Sequence, residues 1–287
     1  MKKVGKRLLS IVGIILLLLL CIQLFMISGS KSKPFGNHIN RHVHRSTTPT
    51  LLIPGWGGGT PSYRKMIHVY QDKHIAQKVM TIWVFPNGKT IVKGQLHQQT
   101  PNQLIQLLYV WNYSSTYAPQ TRQLTVVLTM LHRQYHVNEL NVIAHSYGGS
   151  EWANAVLRSP RLQRQIKYRR VVLLGVPVDE TFGTKTRFGF RLVHRSKDDN
   201  FKQLLRGATK MKKNHNQTMI FNLMGSKTGH RTRTDGSVPH IQSEMLRVLV
   251  KRIDCPYYEH VYPNTTHFQL HQKDQIISDV AHDIWGY

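Results

Sequence analysis

The chain has 287 residues, 39 Lys or Arg against 14 Asp or Glu, and two cysteines. That length can bury a full core, and with Cys21 in an apolar N-terminal stretch and Cys255 alone further on, no intramolecular disulfide staples the domain. The formal net charge of +25 draws such a surface to anionic polymers or lipid head groups. It does not mark a nucleic-acid binder, because no helix-turn-helix signature, zinc-finger spacing or aromatic RNA-binding motif accompanies it.

Met1 to Arg7 is a short basic run, and Leu8 to Ile27 follows as twenty uncharged residues in which only Ser10 and Gln23 are clearly polar. A helix of that length spans a bilayer core. Residues 1–28 therefore read as an uncleaved signal anchor, the alternative being a signal peptide cut near Ser28-Gly29-Ser30 and a secreted product. Lys31, Lys33, Arg41 and Arg45 follow the segment, so the positive-inside contrast is small; the free amino terminus favours the N-terminus inside and the domain outside. Removing the four basic residues ahead of the segment leaves 35 basic against 14 acidic on the remainder. Residues 29–48 are polar, basic and aperiodic, and are expected to be a tether. Their His38, His42 and His44 lack the cysteine or carboxylate company of a metal site, so no metal and no cofactor is expected.

Residues 49–287 are expected to form one α/β domain. Thr50 to Ile53 is a short buried strand running into Pro54-Gly55-Trp56-Gly57-Gly58-Gly59-Thr60. That loop lacks the lysine of a phosphate-binding loop and the third glycine of a dinucleotide fingerprint. It fits an oxyanion loop better, with the N–H of Trp56 as one donor. A helix is expected over Ser62 to Ala76. Val79 to Phe85 and Thr90 to Val92 flank an Asn87-Gly88 turn, a hairpin signal. Gln106 to Trp111 reads as a strand and Thr121 to Tyr135 as an amphipathic helix.

Leu140 to His145 is an apolar run rich in β-branched residues that reaches Ser146 and breaks at Gly148-Gly149, after which helix formers resume. Strand, sharp turn and helix with a serine at the apex make a nucleophile elbow. The turn needs small residues two before and two after, here Ala144 and Gly148. The plainer alternative is a serine that merely caps the helix. Val171 to Val176 is a second buried parallel strand and Met219 to Leu223 a third. The stretch 177–217 between them is expected to be an inserted cap or lid carrying a helix around Phe201 to Lys210. A helix over Ile241 to Lys251, a strand over Tyr257 to Tyr262 and a last helix burying Ile276, Ile277, Val280, Ala281 and Ile284 complete the chain. This alternation specifies a mostly parallel sheet with helices on both faces, and a serine elbow within it makes the α/β-hydrolase fold the expected arrangement.

A serine needs a base to take its proton and an acid to orient that base, and in this fold they follow in the order serine, acid, histidine. Ser146, Asp235 and His267 satisfy that order, each just after a strand. His271 is the alternative base, expected to begin the last helix; His260 lies within a strand and His145 on the elbow itself. Asp179 and Glu180 are the alternative acids. The N–H groups of Trp56 and Tyr147 are the expected oxyanion donors.

Leu51 to Gly59, the elbow Ala144 to Gly149, Asp235-Gly236-Ser237-Val238-Pro239, His267 to His271 and the Asn87-Gly88 hairpin resemble the membrane-anchored cell-surface α/β hydrolases of Gram-positive bacteria, a domain-of-unknown-function family. The resemblance runs from about Pro49 to the C-terminus and implies Ser146, Asp235 and His267 as the triad. The family's loop usually begins His-Gly, where this chain has Pro54-Gly55. The expected chemistry is cleavage of carboxylic esters through an acyl-enzyme, at a membrane-anchored cell-surface location. An amidase or acyltransferase of the same fold, or a non-catalytic module that binds anionic cell-wall polymers or lipids, are the alternatives.

Overall fold

Residues that alternate between two apolar faces make the centre of this fold. Leu51, Ile53, Val142, Ala144, Val171 and Leu173 enter one buried cluster, while their neighbours Leu52, Ile143, Val172 and Leu174 enter a second on the opposite side. A sheet buried on both faces must be covered by helices on both faces. The computed structural model describes residues 2–181, 199–214, 217–229 and 232–287. Among these, eight strands form one sheet in the order β3-β2-β4-β1-β5-β6-β7-β8. They are β1 (Thr50–Ile53), β2 (Gln77–Val84), β3 (Thr90–Gly94), β4 (Gln103–Tyr109), β5 (Glu139–His145), β6 (Lys167–Leu174), β7 (Met219–Gly225) and β8 (Tyr257–Tyr262). Only β3 is antiparallel, paired with β2 across the hairpin at Asn87-Gly88. All other pairings are parallel, so the chain leaves β1 and β4 to β8 at one common edge.

The helices α2 (Thr60–Asp72) and α9 (Asp274–Trp285) cover one face, through Tyr63, Met66, Ile67 and Tyr70 on the first and Ile276, Ile277, Val280, Ala281 and Ile284 on the second. The other face carries α3 (Ala118–Tyr135), α4 (Tyr147–Leu157), α6 (Asp199–Lys213) and α8 (Leu246–Ile253). The short α5 (Pro160–Gln165) runs from α4 into β6, and α7 (His240–Glu244) leads into α8.

The structure refines several expectations. The helix expected around Phe201 to Lys210 is present as α6 and packs into the main core: Phe201, Leu204, Ala208 and Met211 are all but fully buried, and Gly207 passes the end of α4 so closely that a Cβ would collide with the Leu157 backbone. Residues 182–198 lie outside the described residues. The helix expected over Ile241 to Lys251 is two, divided at Met245. His271 does not begin the last helix but ends a 3₁₀ turn over Phe268–His271.

The N-terminal helix α1 (Lys2–Met26) contains an 18-residue apolar span, Leu9–Met26, none of it buried within the protein. The segment after it, 29–48, expected to be a tether, lies along the domain. Asn102 accepts from the Ser46 N–H through Oδ1 and donates through Nδ2 to the carbonyl of His44. The N–H of Ser30 donates to Gln106, and the N–H of His44 donates to the carbonyl of Trp285.

Candidate active site

The elbow stands at the end of β5. Ser146 has φ 53° and ψ −131°, a left-handed conformation that costs a non-glycine residue roughly 1–2 kcal/mol and is held there by its surroundings. A Cβ at Gly148 would lie 2.7 Å from the Ile53 carbonyl oxygen and 2.6 Å from that of Pro54, so the position two after the serine must be small. Gly55 is equally constrained, since a Cβ there would sit 2.7 Å from that of Ser146. Beneath this crossing the buried Tyr63 hydroxyl reaches the carbonyls of Ile53 (2.9 Å) and Ile143 (3.1 Å), tying β1 to β5 just under the turn.

Two loops from the same edge bring the acid and base together. Asp235 is buried, and its Oδ1 accepts from the N–H groups of Ser237 (2.9 Å) and Val238 (2.7 Å), which locks the carboxylate in the turn closed by Gly236 at φ +100°. The other oxygen, Oδ2, lies 2.6 Å from Nδ1 of His267, and the N–H of His267 donates to the Asp235 carbonyl. Ser146, Tyr147 and His267 line one open cleft of about 470 Å³ together with Trp56, Ser115, Pro177, Glu180, Ser237, Val238 and Gln242. A larger hollow of about 570 Å³ lies against β7, β8 and α9, but no serine lines it, so the smaller one is the candidate site.

The alternative acids are engaged elsewhere. Asp179 accepts from Thr181, and Glu180 accepts from the Tyr147 hydroxyl at 2.7 Å. The alternative base His271 is buried, its Nδ1 accepting from the Gln272 amide. Burial, with His267 nearby, pulls its pKa down to about 4. Tyr147 starts α4, where an N–H has no intrahelical acceptor, and Trp56 lies in the glycine loop; among the described residues neither backbone N–H has an intramolecular acceptor. Both donors flank the serine.

Four further residues shape the site. Asn112 clamps the glycine loop, its Nδ2 donating to the carbonyls of Gly55 (2.8 Å) and Gly58 (2.9 Å) while its own carbonyl accepts from Gly57 N–H. His145 packs its ring 4.4 Å from His267 and 4.5 Å from His271. Burial holds it neutral, its pKa well below the ordinary value, and its Nε2 lies 3.1 Å from the His267 carbonyl, which a neutral ring protonated there would donate to. Gly175, at φ +57°, passes under the acid–base pair, and a Cβ there would lie 2.8 Å from Asp235 Oδ2 and 3.0 Å from His267 Nδ1. Gly225 gives similar clearance between the two loops, beside Thr265 and Asp235. Sequence reading misses Asn112 because its role depends on the β1 loop folding back onto the end of β4. Gly175 carries a visible signal, a glycine that interrupts an apolar strand.

A family model described as "Alpha/beta hydrolase of unknown function (DUF915)" matches residues 37–287. Among solved structures, a gene product of Listeria innocua superposes with a TM-score of 0.68 at 19% identity, covering 83% of this chain and 94% of that one. A protein of Lactobacillus plantarum described as a cell surface hydrolase gives 0.63 at 16% identity, covering 82% and 88%. At these identities the likeness is one of fold. No curated protein matches the chain.

Proposed function

The chain belongs to this family of alpha/beta hydrolases, and from that premise we propose that it is a membrane-anchored serine hydrolase that cleaves carboxylic esters. The observation that carries the reading is His267, 2.6 Å from the buried Asp235 carboxylate, lining the same cleft as a serine held in a strained turn. In this mechanism His267 Nε2 takes the proton of Ser146 Oγ as that oxygen attacks the ester carbonyl. Asp235 holds the proton on Nδ1, which leaves Nε2 free to accept, and stabilises the imidazolium that forms. The oxyanion of the tetrahedral intermediate is met by the N–H groups of Trp56 and Tyr147; losing one such donor typically costs about 3 kcal/mol of barrier. The ester C–O bond breaks as His267 returns the proton to the leaving alkoxide, the alcohol departs, and the acyl group stays on Ser146. Water, deprotonated by His267, then attacks the acyl-enzyme, giving the free acid and restoring the serine.

The apolar span of α1 supports anchoring by its length and composition. We place the amino terminus inside and residues 49–287 outside the membrane, where a domain with 31 basic and 14 acidic residues meets anionic lipids or wall polymers. The test is a panel of 4-nitrophenyl esters and the matching anilides offered to the purified full chain, with an alcohol present or absent. Ester turnover lost in Ser146→Ala supports hydrolysis. Preference for anilides, or product diverted to the alcohol, would move the assignment to an amidase or acyltransferase. Polymer binding with no turnover would make it a binding module.

A further inference from the structure

The end of the membrane helix is seated on the rim of the candidate site. Gln23 Nε2 donates to the carbonyl of Val110, one residue beyond β4, at 2.5 Å. The Trp83 indole N–H donates to Ile27, and the N–H of Gly29 donates to Thr60 at the start of α2. Gly59, at the end of the glycine loop, abuts Met26 so closely that a Cβ would collide with its carbonyl. Thus α1 leaves the domain at the strand edge where Trp56 and Ser146 lie, with no free spacer between span and domain. Eighteen residues of helix extend about 27 Å, close to the thickness of a bilayer core. The membrane surface must therefore pass close to the rim.

The side chains on that rim suit a lipid–water boundary. Trp56 is 57% exposed, Trp111 54%, Tyr113 38% and Phe268, next to His267 in the chain, 63%. Trp56, Tyr113 and Trp111 form a run of edge-on ring contacts at 6.0 and 5.3 Å, and the Trp56 indole N–H is satisfied by the Ser114 carbonyl. Amphipathic rings of this kind gather at the head-group level of membrane proteins, and exposing them in water leaves an apolar patch with no covering partner. The guanidinium of Arg64 lies 4.7 Å over the Phe25 ring at the same junction, a cation placed where anionic head groups would stand.

Resting on the esterase and anchor readings above, we infer that the cleft opens onto the surface of the bilayer that holds α1, and that its substrate is a long-chain acyl ester of a lipid resident in that bilayer. The aromatic rim dips into the head-group layer, the acyl chain slides from the leaflet past Trp56 into the cleft, and the released fatty acid returns to the leaflet.

The test uses the full chain in lipid nanodiscs. Turnover of 4-methylumbelliferyl palmitate dissolved in the disc is compared with turnover of water-soluble 4-nitrophenyl acetate. Two variants are made: Trp111→Glu, and an insertion of twenty Gly and Ser residues between Ser28 and Gly29 that lifts the domain. Each should lose at least tenfold on the palmitate and stay within twofold on the acetate, which also reports that the domain is folded. Brominated lipids should quench the wild-type fluorescence, and Trp111→Phe should remove part of that quenching. Unchanged palmitate turnover in both variants, or no bromolipid quenching, would overturn the inference while leaving the esterase reading intact. A wild type inactive on both esters would sink the esterase reading and the substrate half of the inference with it, and quenching would still decide the orientation.

Discussion

Replacing Asp235 by asparagine isolates the electrostatic role of one buried oxygen. The variant keeps an acceptor for the N–H groups of Ser237 and Val238, so the turn that presents the side chain should survive. What changes is the atom 2.6 Å from His267 Nδ1, where an NH2 group replaces Oδ2. Two donors cannot face each other, so the imidazole shifts its proton to Nε2 and can no longer accept from Ser146. In a triad this tautomer error costs about 10⁴ in turnover, or about 5.5 kcal/mol of barrier. The folding cost is far smaller. A charge-assisted hydrogen bond becomes a neutral one at a histidine side chain still 16% exposed, worth about 1 kcal/mol, which for a domain of this size lowers Tm by about 2–4 °C. The assay is kcat on a soluble ester beside a thermal melt, with Glu180→Gln as a control expected within a few-fold of wild type. An Asp235→Asn enzyme retaining a tenth or more of wild-type kcat would refute the assignment of Asp235 as the acid.

Gly175→Ala should damage the same pair from below. Its φ of +57° costs alanine about 1 kcal/mol, and the new Cβ must displace Asp235 Oδ2 and His267 Nδ1. A shift of about 1 Å there should cost roughly a hundredfold in turnover; wild-type kcat would show that the pair has room to spare. Acid should weaken the fold through His145 and His271, both pulled down chiefly by burial. The unfolded chain takes up protons below about pH 6.5 that the folded chain refuses, so this stability is whole above pH 6.5 and drains as pH falls. For His271, held near pH 4, the loss reaches about 3 kcal/mol by its folded pKa. Urea melts from pH 7 to 4 should show it, and His271→Gln should flatten the slope; an unchanged slope would place the acid sensitivity elsewhere.

Sequence made the elbow legible because its requirements are local: a β-branched run, one serine and the small residues Ala144 and Gly148 lie within a dozen positions. The strand Tyr257 to Tyr262 and the last helix were legible for the same reason, each carrying its own pattern. Long-range fits were not. The helix Asp199–Lys213 is expected from the sequence as part of an inserted cap or lid, and its packing into the core through Phe201, Leu204 and Met211 shows only once the fold is assembled. Residues 29–48 carry no periodicity, because what holds them is a scatter of side-chain amides, Gln71, Gln77, Asn102 and Gln106, from distant elements. His145 was set aside as a base from its place on the elbow. Its packing against His267 and His271 needed the elbow and the closing loop after β8 both in place.

The central claim is that Ser146 is an activated nucleophile. The most direct measurement is labelling of the purified full chain with a fluorophosphonate probe, mapped by mass spectrometry, beside Ser146→Ala and His267→Ala. The account requires the label on Ser146 and its loss in both variants. Failure of the folded wild-type protein to label, or labelling that persists without His267, would contradict it.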